Sequence, residues 1–219
     1  MFGLPLAGLA SGFVSSTATI GAMGARAAKT PALLAAAVAG AVLSTTATVI
    51  QMALVLAATS TATFRALSAP LVCAGLTAVV YGVAFTIRAL RQETEGDAQR
   101  GRAFDISTAV VFALSLSGIM VASAALQEWF GETGIILAAA AAGFVDTHAA
   151  AISVASLVAS GKIGADDAVI PILAGFSANT ISKLFLAGAS GARSFALRVI
   201  PGLILVALAA WAGALYIRI

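Results

Sequence analysis

The chain has 219 residues, of which 61% are hydrophobic and 10% charged, with 12 Lys and Arg against nine Asp and Glu. A soluble domain carries about 25% charged residues, so this chain has too little polar surface for water and must be covered by lipid. Its net charge of +3 is too small and scattered to argue for nucleic acid, and a single cysteine, Cys73, excludes a disulfide framework or a cysteine-based metal site.

Spanning a bilayer takes roughly 20 mostly apolar residues. Taken in chain order, segments of that kind run over 2–23, 32–57, 68–90, 104–126, 134–160, 167–188 and 195–217. The first has no positive residue ahead of it and no cleavage context, so it reads as a mature span. Breakers separate the segments: Lys29-Thr30-Pro31, Ser68-Ala69-Pro70, Phe130-Gly131-Glu132, Gly161-Lys162 and Gly191. The hydrophilic stretch Arg91 to Arg102 reads as a cytoplasmic loop. The expected architecture is therefore an all-α integral membrane protein with about seven transmembrane helices. Residues 1–90 form a first three-helix repeat, 91–102 the loop, 103–130 a linking helix and 131–219 a second repeat.

Excess Lys and Arg mark the cytoplasmic side. With the central loop inside, Arg26, Lys29, Arg88, Arg91, Arg100, Arg102, Lys162 and Arg218 fall inside, and Arg65, Arg193 and Arg198 outside. That predicts an outside N-terminus and a cytoplasmic C-terminus in a prokaryotic inner membrane.

Self-similarity supports the repeat. Gly12-Phe13-Val14-Ser15-Ser16-Thr17-Ala18 answers to Gly143-Phe144-Val145-Asp146-Thr147-His148-Ala149, 131 residues on. With one residue inserted, Ser44-Thr45-Thr46-Ala47 and Gln51 fall opposite Phe176-Ser177-Ala178-Asn179 and Lys183. Phe64 and Pro70 return to the first offset against Phe195 and Pro201. Three crossings plus a linking one bring the chain back to the same side, so the halves are expected to run parallel, as in some small carriers.

Charged side chains deep in a span cost roughly 2.5–3.5 kcal/mol and tend to mark function. Asp146 and Lys183 are such residues. His148, two residues from Asp146, points to the opposite side of a regular helix, so the two are not expected to pair. Asn179 and Lys183 share a face. The first half offers Ser15, Ser16, Thr17, Thr19, Thr45 and Gln51 instead. Together these ten residues are the candidate solute or ion pathway. Asp146 and Lys183 could compensate each other across it, or serve only to lock two helices together. No phosphate loop, nucleophile elbow or histidine pair is present, so neither enzyme chemistry, a bound metal nor a cofactor is expected.

The stretches GFVSSTAT, GFVDTHA and SANTISK resemble the membrane domain catalogued as domain of unknown function 4010, often fused behind an MgtC/SapB-type region. The resemblance rests on Ser15, Ser16, Thr17, Asp146, Asn179 and Lys183; His148 stands where that family's pattern has a second Asp, and the MgtC-like region is absent. It implies a multi-pass prokaryotic membrane protein without an assigned substrate. The expected function is a small transporter or permease for a small solute or inorganic ion. The alternative is a non-transporting membrane partner that regulates or scaffolds another complex. Expected partners are the lipid bilayer and the solute, with a homo-oligomer or an MgtC-like protein also open, and no nucleic acid.

Overall fold

A computed structural model of the chain describes residues 3–91, 133–190 and 193–217; the expected linking span over 104–126 and most of the central loop lie outside them. The described residues are helical throughout. In order they are α1 (Gly3–Lys29), α2 (Leu34–Thr59), the short α3 (Thr61–Ala66), α4 (Ser68–Arg91), α5 (Thr133–Val145), α6 (Thr147–Ala159), α7 (Val169–Ser190) and α8 (Arg193–Ile217). A 3₁₀ turn at Pro31–Leu33 leads into α2.

The distribution of side-chain size shows what surrounds the bundle. In α4, Pro70, Ala74, Ala78, Gly82 and Phe85 are buried, at helical spacing. Its outer face carries Val72, Leu76, Val80, Val83 and Ile87, all exposed. Small residues face inward and large apolar ones outward, the reverse of a water-soluble helix and the arrangement expected where lipid covers the outside. By length and hydropathy α1, α2, α4, α7 and α8 could each cross a membrane.

The first of these does not run straight. Ser15 is extended (φ −162°, ψ 105°) in the middle of α1. A methyl group on Gly40 would lie 3.0 Å from Leu4 O and 3.3 Å from Met23 Cε. On a continuous helix Leu4 and Met23 stand roughly 28 Å apart, so α1 folds back on itself at Ser15. The hydrogen bond between Thr19 and Ser11 hydroxyls at 3.0 Å closes the same hairpin. We name its arms α1a (3–14) and α1b (16–29).

The expected span over 134–160 is also a hairpin. Asp146 is extended (φ −150°, ψ 115°) between α5 and α6. A methyl on Gly175 would sit 2.8 Å from Ala139 O and 3.1 Å from Ala150 Cβ, which belong to opposite arms. Each arm is about 20 Å long at 1.5 Å per residue, enough to reach the middle of a roughly 30 Å hydrocarbon layer and too short to cross it.

The repeat is present, but its two copies are inverted rather than parallel. Ala69 and Pro70, at the start of α4, pack against Gly213 near the end of α8, while Tyr81 packs against Gly202 near the start of α8. These equivalent helices are therefore antiparallel. The core is divided in the same sense. One cluster joins the end of α2, the start of α4, the start of α7 and the end of α8; the other joins the start of α2, Phe85, Ala187 and the start of α8. The hairpins consequently enter from opposite ends of the bundle, and Arg91 and Thr133 stand at opposite ends.

No inserted residue is needed to superpose the halves. Gly12 lies against Ser44, and 131 residues on Gly143 lies against Gly175. Gln51 Nε2 donates to Phe13 O at 2.8 Å, and 131 residues on Ser182 Oγ donates to Phe144 O at 2.7 Å. Gln51 thus corresponds to Ser182, and the partner of Lys183 is Met52. In both copies a glycine lets the first arm touch the following long helix backbone to backbone, and a side chain from that helix satisfies the carbonyl at the end of the arm.

Candidate functional site

Each hairpin turns on a residue whose side chain caps the second arm. Ser15 Oγ accepts from Ala18 N at 3.2 Å. Asp146 Oδ1 accepts from His148 N at 3.0 Å and Oδ2 from Ala149 N at 3.2 Å. Ser and Asp are favoured N-caps because they take up N–H groups that the first turn cannot pair, and a carboxylate also suits the positive end of the helix dipole. The two tips meet in the middle of the bundle around a cavity of about 220 Å³. Hairpin 1 supplies Gly12 to Thr17, hairpin 2 supplies Val145 to His148, and Gln51, Val55 and Asn179 complete the wall.

Seven of the ten expected pathway residues line this cavity: Ser15, Ser16, Thr17, Gln51, Asp146, His148 and Asn179. Three do not. Thr19 is buried inside hairpin 1, donating to Ser15 O at 2.8 Å. Thr45 is buried in α2 and its hydroxyl has no hydrogen-bond partner among the described residues. Lys183 is 1% exposed and sits behind the wall, donating to Thr48 Oγ1 at 3.2 Å.

Two expected relations change. Asp146 and Lys183 form no ion pair within 4.0 Å; the only one among the described residues joins Asp146 Oδ1 to His148 Nδ1 at 2.8 Å. The helical argument against an Asp146–His148 pair fails because Asp146 precedes the helix: its extended backbone turns the carboxylate back over the first turn of α6, where the ring lies.

Thr48 belongs to the polar stretch Thr45–Gln51 expected to face the site, though not to the ten residues above, and the contacts converge on it. Its carbonyl lies 3.2 Å from His148 Nε2, at the tip of hairpin 2. Its hydroxyl is hydrogen-bonded to Ser16 Oγ at 2.8 Å, at the tip of hairpin 1, and to Ser44 O at 3.2 Å. With Lys183 as donor, that hydroxyl's one proton and two lone pairs are all engaged. The signal for Thr48 was its i+4 spacing from Ser44 on a face already bearing polar residues.

The wall also holds unused capacity. Asn179 is 4% exposed and its amide has no hydrogen bond among the described residues, and Thr147 Oγ1 is buried without a partner. Buried polar groups are nearly always paired, so these groups, together with Thr17, are available to a bound species. No cluster of three metal-ligating side chains occurs among the described residues.

Long helices with apolar outer surfaces, enclosing two hairpins whose tips meet inside the bundle, fit a multi-pass membrane protein. The chain belongs to the family described as "Domain of unknown function (DUF4010)", whose match covers residues 1–191. No curated protein and no solved structure matches it.

Proposed function

We propose that the protein is a membrane transporter or permease whose substrate, a small solute or inorganic ion, binds between the two hairpin tips. One observation carries the reading: two broken-helix hairpins enter from opposite ends and meet at a polar cavity inside an apolar bundle. Non-helical backbone at membrane depth is stable only where protein buries it or a hydrated cavity lines it. Inverted repeats with discontinuous helices at mid-depth are the usual way of building a site that can open alternately to either side. The nearby Asp146 carboxylate and Lys183 ammonium favour a compact neutral or zwitterionic solute, with an inorganic ion next. The small residues that could have formed a docking face for a partner, Gly8 and Gly12, are used within the chain against Gly40 and Ser44.

The distribution of charge over the two ends of the bundle supports an orientation. Because hairpin 1 returns to its own side, the N-terminus shares an end with Arg26, Lys29, Arg88, Arg91, Arg193 and Arg198. The other end carries Arg65 and Lys162 beside Asp166 and Asp167. The positive end is cytoplasmic by the usual charge bias, which reverses the orientation expected from seven straight spans: the N-terminus is inside and the C-terminus outside.

The test is uptake into proteoliposomes of a panel of radiolabelled amino acids, Na⁺ and Mg²⁺, with wild type, Asp146→Asn and Lys183→Met. Uptake above protein-free vesicles that falls at least tenfold in both variants supports the proposal. Uptake unchanged by both substitutions, or absent for the whole panel, overturns it.

A further inference from the structure

His148 is the only histidine in the chain, and the atoms facing its ring restrict its chemistry. Nδ1 lies 2.8 Å from Asp146 Oδ1, and Nε2 lies 3.2 Å from Thr48 O. A neutral imidazole has one N–H donor and one bare lone pair, whereas the imidazolium has two donors. Both facing atoms here, a carboxylate oxygen and a backbone carbonyl oxygen, can only accept. Either neutral tautomer would set a ring lone pair against an oxygen lone pair. Only the protonated ring makes both bonds.

We infer that His148 is the proton-binding site of this protein, and that its imidazolium is a latch holding the tip of hairpin 2 to α2. The coupling of that proton to solute movement rests on the transport reading above; the latch itself does not.

The proton balance is simple. The bond to Asp146 is shorter and charge-assisted, so Nδ1–H is the proton retained. Nε2–H leaves to water in the cavity that His148 lines, and the freed lone pair then faces Thr48 O. That contact becomes repulsive and the tip separates from α2. The separation matters because Thr48 is where the tips meet: its hydroxyl binds Ser16 of hairpin 1. One proton therefore controls whether both hairpins are held by the same residue.

Among the described residues two titratable groups stand near the ring. Asp146, on its own hairpin, is in contact with Nδ1, and Lys183, on α7, lies on the far side of Thr48, whose hydroxyl it binds. The parts of hairpin 1 and α2 that line the cavity, Gly12 to Thr17 with Gln51 and Val55, carry no charge.

A single histidine makes the test unambiguous. In nanodiscs, ¹⁵N NMR of the histidine-labelled full chain should show two protonated ring nitrogens at the acid end of a pH series and one unprotonated nitrogen at its alkaline end. Spin labels at Phe144→Cys and Leu54→Cys, in a Cys73→Ser background, should move apart over the same interval. With His148→Gln added, their separation should not change with pH. A ring with one bare nitrogen at every pH, or a label distance indifferent to pH with the wild-type histidine, overturns the latch even if the proteoliposomes transport. A titrating latch combined with no uptake of any panel member overturns the transport reading and leaves the latch standing.

Discussion

Replacing Lys183 by Met gives the second half the residue that the first half already has at the equivalent place. Lys183 and Met52 are both 1% exposed, so each copy of the repeat buries a long unbranched side chain there. Burying an ammonium costs several kcal/mol, and geometry returns this only when close partners compensate. Lys183 has no carboxylate within 4.0 Å among the described residues and one hydrogen bond, to Thr48. Its removal forfeits about 1.5–3 kcal/mol for that bond, which has a charged donor. Thr48 is not left stranded, because Ser16 and Ser44 O still hold its hydroxyl. Apolar replacement of buried ionic groups by residues of similar volume is often stabilising by about 1–4 kcal/mol. The expected outcome is a Lys183→Met protein about 1–3 kcal/mol more stable than wild type, yet without uptake. Equilibrium unfolding in mixed detergent micelles measures the first quantity. Lys183→Ala, by contrast, leaves a void and should cost about 2–5 kcal/mol, as large-to-small core changes do. A Met variant destabilised by more than about 1 kcal/mol would refute the reasoning: the hydrogen bond to Thr48 would then outweigh the desolvation it offsets.

The other expectations concern the hairpins. Asp146→Ala should lose about 0.5–2 kcal/mol of stability through its N-cap, while Asp146→Asn, which keeps one accepting oxygen, should lose less; thermal melts in detergent compare them. Gly143→Ala should cost about 1–3 kcal/mol or more, because the methyl meets the Gly175 backbone. Gly188→Ala, with nothing within 4 Å of the added carbon, should be neutral or gain about 0.4–1 kcal/mol. In a Cys73→Ser background, cysteines at Thr30 and Lys162 should react with an impermeant maleimide from opposite sides of sealed vesicles. Seven straight spans would put both on one side, so labelling from the same side would disprove the hairpins. Ser15→Asp should fold, since a carboxylate caps Ala18 N as well as a hydroxyl does, and should change which solute is taken up.

The membrane class was legible in composition, and the repeat in the two glycine-led motifs, whose offset of 131 holds throughout. The hairpins were not, because hydropathy sums apolar length without direction: two arms of about 13 residues placed tip to tip look like one span. The cue was present in residue type. Ser15 before Ser16-Thr17, and Asp146 before Thr147, are N-cap residues in the middle of apolar runs, where a continuous helix has no use for a cap. Reading Asp146 as a charge within a helix, rather than as the residue before one, also produced the mistaken separation from His148. The inversion of the halves follows from the same point. A hairpin contributes no crossing, so the described part of each copy crosses twice rather than three times, which removes the basis for expecting parallel halves.

What remains is why two inverted copies with the same backbone plan differ so much in charge. At equivalent positions the first half has Ser15, Thr17 and Met52 where the second has Asp146, His148 and Lys183. A symmetric pair of tips could open to either side at equal cost. Here hairpin 1 is held through hydroxyl contacts, Thr19 to Ser11 and Ser16 to Thr48, that any polar solvent can replace. Hairpin 2 carries a carboxylate–imidazole contact, Asp146 to His148, and a ring nitrogen against Thr48 O, which the proposed loss of a proton would break. The duplication supplies two hairpin tips of one backbone geometry, and the substitutions place a carboxylate and an imidazole on only one of them. In the proposed transporter, movement of the second tip is the step that would be tied to a proton, while the first would follow the solute.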